Sequence, residues 1–128
     1  MAAVAAAATA AAVLPVACLG MRRVVVEGRS MVPAFQPGDR VLVARLPRAW
    51  PLRPGIVVAV PDPREPDRLL LKRVAVAGPA RPGGAVVLAG DNAEASTDSR
   101  TFGPVARQEV WGRVVYRYAP AGRAGRIA

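Results

Sequence analysis

The sequence predicts a small all-β domain, and three observations carry that reading. From Arg22 onward the chain is written in short β-branched runs separated by Gly and Pro, the pattern of strands joined by tight turns. No stretch keeps a helical period for longer than about two turns. At 128 residues, with 12 Gly and 13 Pro, the chain is long enough for one compact domain and is broken too often for long helices.

The expected strands follow in order. Arg23 to Glu27 carries three consecutive valines and stops at Gly28. The turn Gln36-Pro37-Gly38-Asp39 leads into Arg40 to Leu46, and Pro51 to Gly55 separates that strand from Ile56 to Val60. Pro61 to Pro66 is the next turn, followed by Arg68 to Val76. Pro79 to Gly84 precedes Ala85 to Ala89, and Val110 to Tyr118 closes the series. Proline presets the turn dihedral and glycine supplies positive φ, so these clusters end strands for stated reasons. Six strands at this spacing suggest a coiled, barrel-like sheet over residues 21–118, followed by a disordered tail over 119–128. No internal repeat is present.

Residues 1–20 form a separate apolar segment without a charged side chain, long enough for a spanning N-terminal helix. Most of it is alanine, and Val4, Val13, Leu14, Val16 and Leu19 supply roughly 1.5 to 3 kcal/mol of insertion energy. No basic stretch precedes it, as a secretory signal would require. Pro15-Val16-Ala17-Cys18 lacks the leucine expected three residues before a lipoprotein cysteine. Two readings stay open: a membrane anchor, or a dispensable leader with the working chain starting at Met21. As an anchor, with Arg22, Arg23 and Arg29 following it, the segment would leave the domain in the cytosol by the positive-inside rule; the leader reading makes it a soluble cytoplasmic protein.

The chain has a net charge of +9 and no histidine. Imidazole catalysis and imidazole metal sites are therefore excluded, and no metal or other cofactor is expected. The lone Cys18 cannot form an internal disulfide. The arginines are dispersed and aromatic residues are few, so nucleic acid is not an expected partner; a non-catalytic basic β module binding polyanions is the alternative from another functional class.

Of the 18 Lys and Arg residues only Lys72 is a lysine. Arginine does not lose its proton in a protein, so Lys72 alone can serve as a neutral amine. Alternation places it on one strand face with Leu70, Val74 and Val76. Burial there would favour the uncharged amine, although a strand-end lysine can instead reach water.

Two further clusters stand out. Gly28-Arg29-Ser30-Met31-Val32-Pro33 sets a serine beside a glycine on a constrained loop, where backbone N–H groups can approach a substrate carbonyl. The segment from Gly90-Asp91-Asn92 to Phe102-Gly103 is dense in hydroxyls and carboxylates. Either alone reads as turn chemistry.

Taken in order, Ser-Met-x-Pro-x-x-x-x-Gly-Asp, then Lys-Arg, then Gly-Asp-Asn-x-x-x-Ser-x-Asp-Ser-Arg-x-x-Gly resemble the signature segments of the type I signal peptidases, serine proteases with a Ser-Lys dyad. The resemblance spans Val26 to Gly112. It implies the mainly β fold shared with self-cleaving repressors, Ser30 as nucleophile, Lys72 as general base, and the Ser30 backbone N–H as oxyanion donor. Ser96 matches the hydroxyl that orients the base. Asp98 with Arg100, and Asp91 with Arg73, match supporting ion pairs. Gly28 departs from the members that carry a serine two residues before the nucleophile, and Ala34 departs from a common threonine.

Only thirteen residues separate Val76 from Gly90, where larger members insert a subdomain. With the closing Trp111-Gly-Arg-Val-Val-Tyr-Arg-Tyr118, this resembles the short proteases that mature nickel-type superoxide dismutase. The resemblance implies a protein or peptide substrate: a propeptide of that enzyme or, alternatively, signal peptides of exported proteins cleaved at the membrane.

Overall fold

A computed structural model describes residues 20–47, 50–78, 84–95 and 103–127. The apolar segment before Gly20 lies outside them. No helix among the described residues is long and apolar enough to cross a membrane.

The strands are β1 (Met21–Val25), β2 (Arg40–Arg45), β3 (Val57–Asp62), β4 (Glu65–Ala77), β5 (Ala85–Ala89), β6 (Val105–Ala106), β7 (Gly112–Ala119) and β8 (Gly125–Arg126). They form one antiparallel sheet in the order β1-β2-β7-β3-β4-β5-β6, with β8 added to β7. The fold is all-β. The sheet is open, with β1 and β6 at its ends.

β3 shows why a small sheet can hold a two-sided core. Val57, Val58, Ala59 and Val60 are all buried, and alternation sends them to opposite faces. Val57 and Ala59 join Val41, Val43, Leu71 and Val114 in one cluster. Val58 and Val60 join Leu52, Val74, Val86, Leu88 and Val110 in the other. A strand covered on both faces reads as a continuous apolar run, as Ile56 to Val60 does. Each fully buried Val or Leu contributes about 1.5–3 kcal/mol.

The β3–β4 connection is tighter than the expected Pro61 to Pro66 turn. Pairing continues to Asp62 with Glu65, so Pro63 and Arg64 alone make the turn. Asp62 closes it by accepting from the Arg64 backbone N–H at 2.9 Å. On β4, alternation holds through Leu70, Lys72 and Val74, then shifts register between Val74 and Val76. That irregularity leaves Val76 exposed rather than on the Lys72 face.

The C-terminal segment corrects the expectation of a disordered tail. Ala119 belongs to β7, Ala121–Arg123 form a 3-10 turn, and Gly125–Arg126 pair with Arg117 and Tyr116. The turn is held by Arg117, whose Nε donates to the Arg123 carbonyl at 2.7 Å. The pairing folds back onto the preceding strand only six to ten residues away, and a two-residue strand has no periodicity to announce it.

Candidate active site

The loop between β1 and β2 carries Ser30 and is tied at its base. Val26 N–H donates to Asp39 O and Gly38 N–H to Val26 O, both at 2.8 Å. Gly28 and Gly38 take positive φ values of 71° and 91°, a region costly for side-chain-bearing residues. Positive φ at Gly28 favours glycine there over any residue carrying a Cβ. Between these glycines, Phe35 N–H donates to Met31 O at 2.9 Å in a single helical turn. Met31 and Phe35 are buried in the first core cluster, so apolar packing fixes the residues flanking the half-buried Ser30.

Asp39 locks the far end of this loop. Its carboxylate, 1 % exposed as a residue, accepts from Gln36 N–H at 2.9 Å, Arg117 Nη1 at 3.2 Å and Arg123 Nη2 at 2.6 Å. Arg117 also donates to Ala34 O at 2.8 Å and lies 5.4 Å over the Phe35 ring. Sequence reasoning found Gly38-Asp39 within a motif but missed Arg117 and Arg123 as its supports. Nothing distinguishes these two among 17 arginines.

Lys72 sits in the middle of β4 opposite Val58 of β3 and is only 2 % exposed. It does not behave as a strand-end lysine reaching for water. Ser30 and Lys72 line one cavity of about 90 Å³, together with Arg29, Arg64, Arg68 and Ala95. A narrower pocket of about 20 Å³ adjoins Ser30 between Val24–Val26 of the β1 side and Leu69–Leu71 of β4.

The segment after β5 connects the two halves of this cavity. Arg73, the residue after Lys72, donates Nε and Nη2 to the two oxygens of Asp91, each at 2.8 Å. The Asp91 hydrogen bond holds the Arg73 guanidinium more firmly protonated than usual, against the opposing effect of burial. Arg73 Nη1 donates to Gly55 O at 2.7 Å. Next to Asp91, Asn92 N–H donates to the Ser30 carbonyl at 2.8 Å. A continuous chain of contacts thus runs from β4 through Asp91 and Asn92 to the Ser30 loop. Ser96, Asp98 and Arg100 lie outside the described residues. Among the described residues no cluster of His, Cys, Asp or Glu could hold a metal ion.

No curated protein matches the chain. A family model described as "Signal peptidase, peptidase S26" matches residues 1–81 and 78–119. That match covers most of the chain, including the Ser30 loop, the Lys72 strand and the segment after β5. The chain therefore belongs to the signal peptidase family of serine peptidases.

Proposed function

We propose that this chain is a serine endopeptidase in which Ser30 is the nucleophile and Lys72 the general base. The single observation that carries the reading is that the only lysine is buried in the sheet and shares a cavity with Ser30. Burial disfavours the charged form of an amine, and a neutral amine can accept a hydroxyl proton.

In the proposed mechanism Lys72 Nζ takes the proton from Ser30 Oγ as Oγ attacks the scissile carbonyl carbon. The developing oxyanion is held by the Ser30 backbone N–H. Lys72 returns the proton to the leaving amine, and the C–N bond breaks to give the acyl-enzyme. Water then attacks, its proton passing to Lys72, which returns it to Ser30 Oγ as the ester bond breaks. Ser96 orients the base in this reading, while Arg73 with Asp91 and Arg100 with Asp98 support the frame.

The substrate path follows from strand edges. Among the described residues β1 pairs only with β2, and β5 pairs with β4 only from Arg73 onward. The facing edges of Val24–Val26 and Arg68–Leu71 can therefore accept an extended peptide by strand addition. The pocket of about 20 Å³ suits a small side chain, since that space holds little more than one water.

For the substrate we propose an N-terminal propeptide, that of a nickel-type superoxide dismutase, on the strength of the short β4–β5 connection and the closing β7 sequence. Cleavage of signal peptides is the second reading, favoured by the family match itself. Residues 1–20 would serve as a membrane anchor with the domain in the cytosol, or as a leader to a soluble enzyme.

The test uses two peptides, one spanning a superoxide dismutase propeptide junction and one a signal peptide junction, with products read by mass. Wild type should cleave the first. Ser30→Ala and Lys72→Met should abolish cleavage while keeping the wild-type melting temperature to within a few degrees, because methionine fills the buried lysine site without a charge. Residual turnover in Lys72→Met would remove Lys72 as the base, and cleavage of the second peptide alone would transfer the assignment to signal peptides.

A further inference from the structure

Around the cavity that holds Ser30 and Lys72 stand three arginines, Arg29, Arg64 and Arg68, and one acid, Glu27. Their pairing is uneven. Arg64 folds back on Asp62, with Nε 3.2 Å from Oδ1. Arg68 reaches Glu27 at 3.4 Å, a loose contact between side chains that are 39 % and 63 % exposed. Arg29 is exposed on the Ser30 loop and makes no ion pair with an acid among the described residues. Glu27 and Arg68 also line the narrow pocket and the groove beyond it. Their contact spans the path between the β1 side and β4 that a bound peptide would follow.

We infer that this cleft selects peptides carrying an acidic side chain within a few residues of the scissile bond, read by Arg29 and Arg68. The inference rests on the Ser30–Lys72 reading of the site. An entering carboxylate finds Arg29 without a competing acid among the described residues and can replace Glu27 on Arg68, an exchange of one exposed pair for another that demands little desolvation. An entering lysine can pair with Glu27 only by displacing Arg68, and it meets like charge from Arg29 as well. Guanidinium presents a planar donor fork matched to a carboxylate. The direction of selection therefore follows from Arg29, which has no acid partner among the described residues, rather than from the chain's overall positive charge.

The magnitude is modest because the groups are open to solvent. Each such pair is worth up to about fivefold in an equilibrium, so acidic over basic discrimination of roughly fivefold to twentyfold in kcat/KM is expected at low salt. It should shrink toward unity at about 1 M salt, where the screening length falls to about 3 Å.

The test is to digest a proteome-derived peptide library with the full chain and identify the new termini by mass spectrometry. Ser30→Ala supplies the background. Wild type should show Asp and Glu enriched over Lys and Arg at one or more positions flanking the cut. Arg29→Gln should reduce that ratio, Arg29→Glu should invert it, and Arg68→Gln should lower it independently. Cuts without acidic enrichment, or enrichment untouched by both the Arg29 and Arg68 substitutions, overturn the inference while leaving the Ser-Lys reading in place. Absence of any cut above the Ser30→Ala background overturns the catalytic reading and this inference with it.

Discussion

Asp91→Ala removes the contact that joins the lysine strand to the serine loop, and its effect can be worked out from the geometry. Two charge-assisted hydrogen bonds of 2.8 Å are lost. Such bonds contribute about 1.5–3 kcal/mol each when buried. Here the side chains of Arg73 and Asp91 are 35 % and 20 % exposed, so solvent screening brings the pair to about 1–2 kcal/mol in total. Arg73 keeps its bond to Gly55 O and is not left wholly unpaired. For a domain of this size about 1 kcal/mol shifts the melting temperature by roughly 4–8 °C, so a fall of roughly 5–15 °C is expected. The larger consequence concerns position. With Asp91 released, Asn92 no longer holds the Ser30 carbonyl firmly, and in the proposed mechanism displacement of Ser30 by about 1 Å lowers kcat as much as 100-fold.

Three measurements separate this from a general loss of stability. Thermal melting gives the first, and the split between kcat and KM the second: kcat should fall while KM stays near wild type, because the peptide path runs along β1 and β4. Hydrogen exchange at the Asn92 amide gives the third and should accelerate more than exchange in β3. Asp91→Asn, which retains one acceptor for Arg73, should lie between wild type and Asp91→Ala in all three. A faster Asn92 amide with unchanged kcat would refute the positioning role. An Asn92 amide that exchanges as in wild type would refute the mechanical link itself.

Two predictions concern stability. Asp39→Ala withdraws a buried carboxylate from Arg117, Arg123 and the Gln36 N–H; because the two arginines stay partly solvated, the loss should be roughly 2–4 kcal/mol, seen as a melting temperature lower by at least about 10 °C, and a change under about 2 °C would contradict it. Asp62 is held below its ordinary value of 3.8, first by the Arg64 backbone N–H, with burial opposing, and then by the Arg64 side chain. A carboxyl with a depressed folded value stabilises the protein above its unfolded value and loses that contribution as pH falls through the folded one. Asp62→Asn should therefore melt below wild type at neutral pH, and the gap should close as pH drops below 3.8; a gap that persists unchanged into acid would show that the carboxylate charge is not what matters.

Most strands were legible because their apolar runs are bounded by Gly and Pro. Ala85–Ala89 is unchanged between expectation and structure, since proline and glycine stand before it and glycine after it. β6 and β8 are two residues long and have no periodicity to read; pairing with β5 and β7 defines them. At the site, the lysine strand was legible from alternation because Lys72 lies before the register shift, whereas Val76 lies beyond it. What could not be read was the use of individual arginines. Arg107 is 3 % exposed and donates to the carbonyls of Pro47 and Trp50, while Arg29 lies open beside Ser30. Residue type is identical in the two cases, and only tertiary placement separates a structural guanidinium from one facing a cleft.

The arginine excess also bears on how one buried lysine can act as a base in the proposed mechanism. A second amine near Ser30 could compete for its proton or hold it in a different hydrogen bond. Arginines can surround the cleft without doing so, because they remain protonated and cannot accept a proton. Among the described residues Glu27 and Asp62 offset Arg68 and Arg64, which leaves Arg29 as the cleft cation with the least local compensation and, in the proposed mechanism, the first to meet an acidic substrate. Arg29→Gln tests that assignment through the identity of the cleaved peptide.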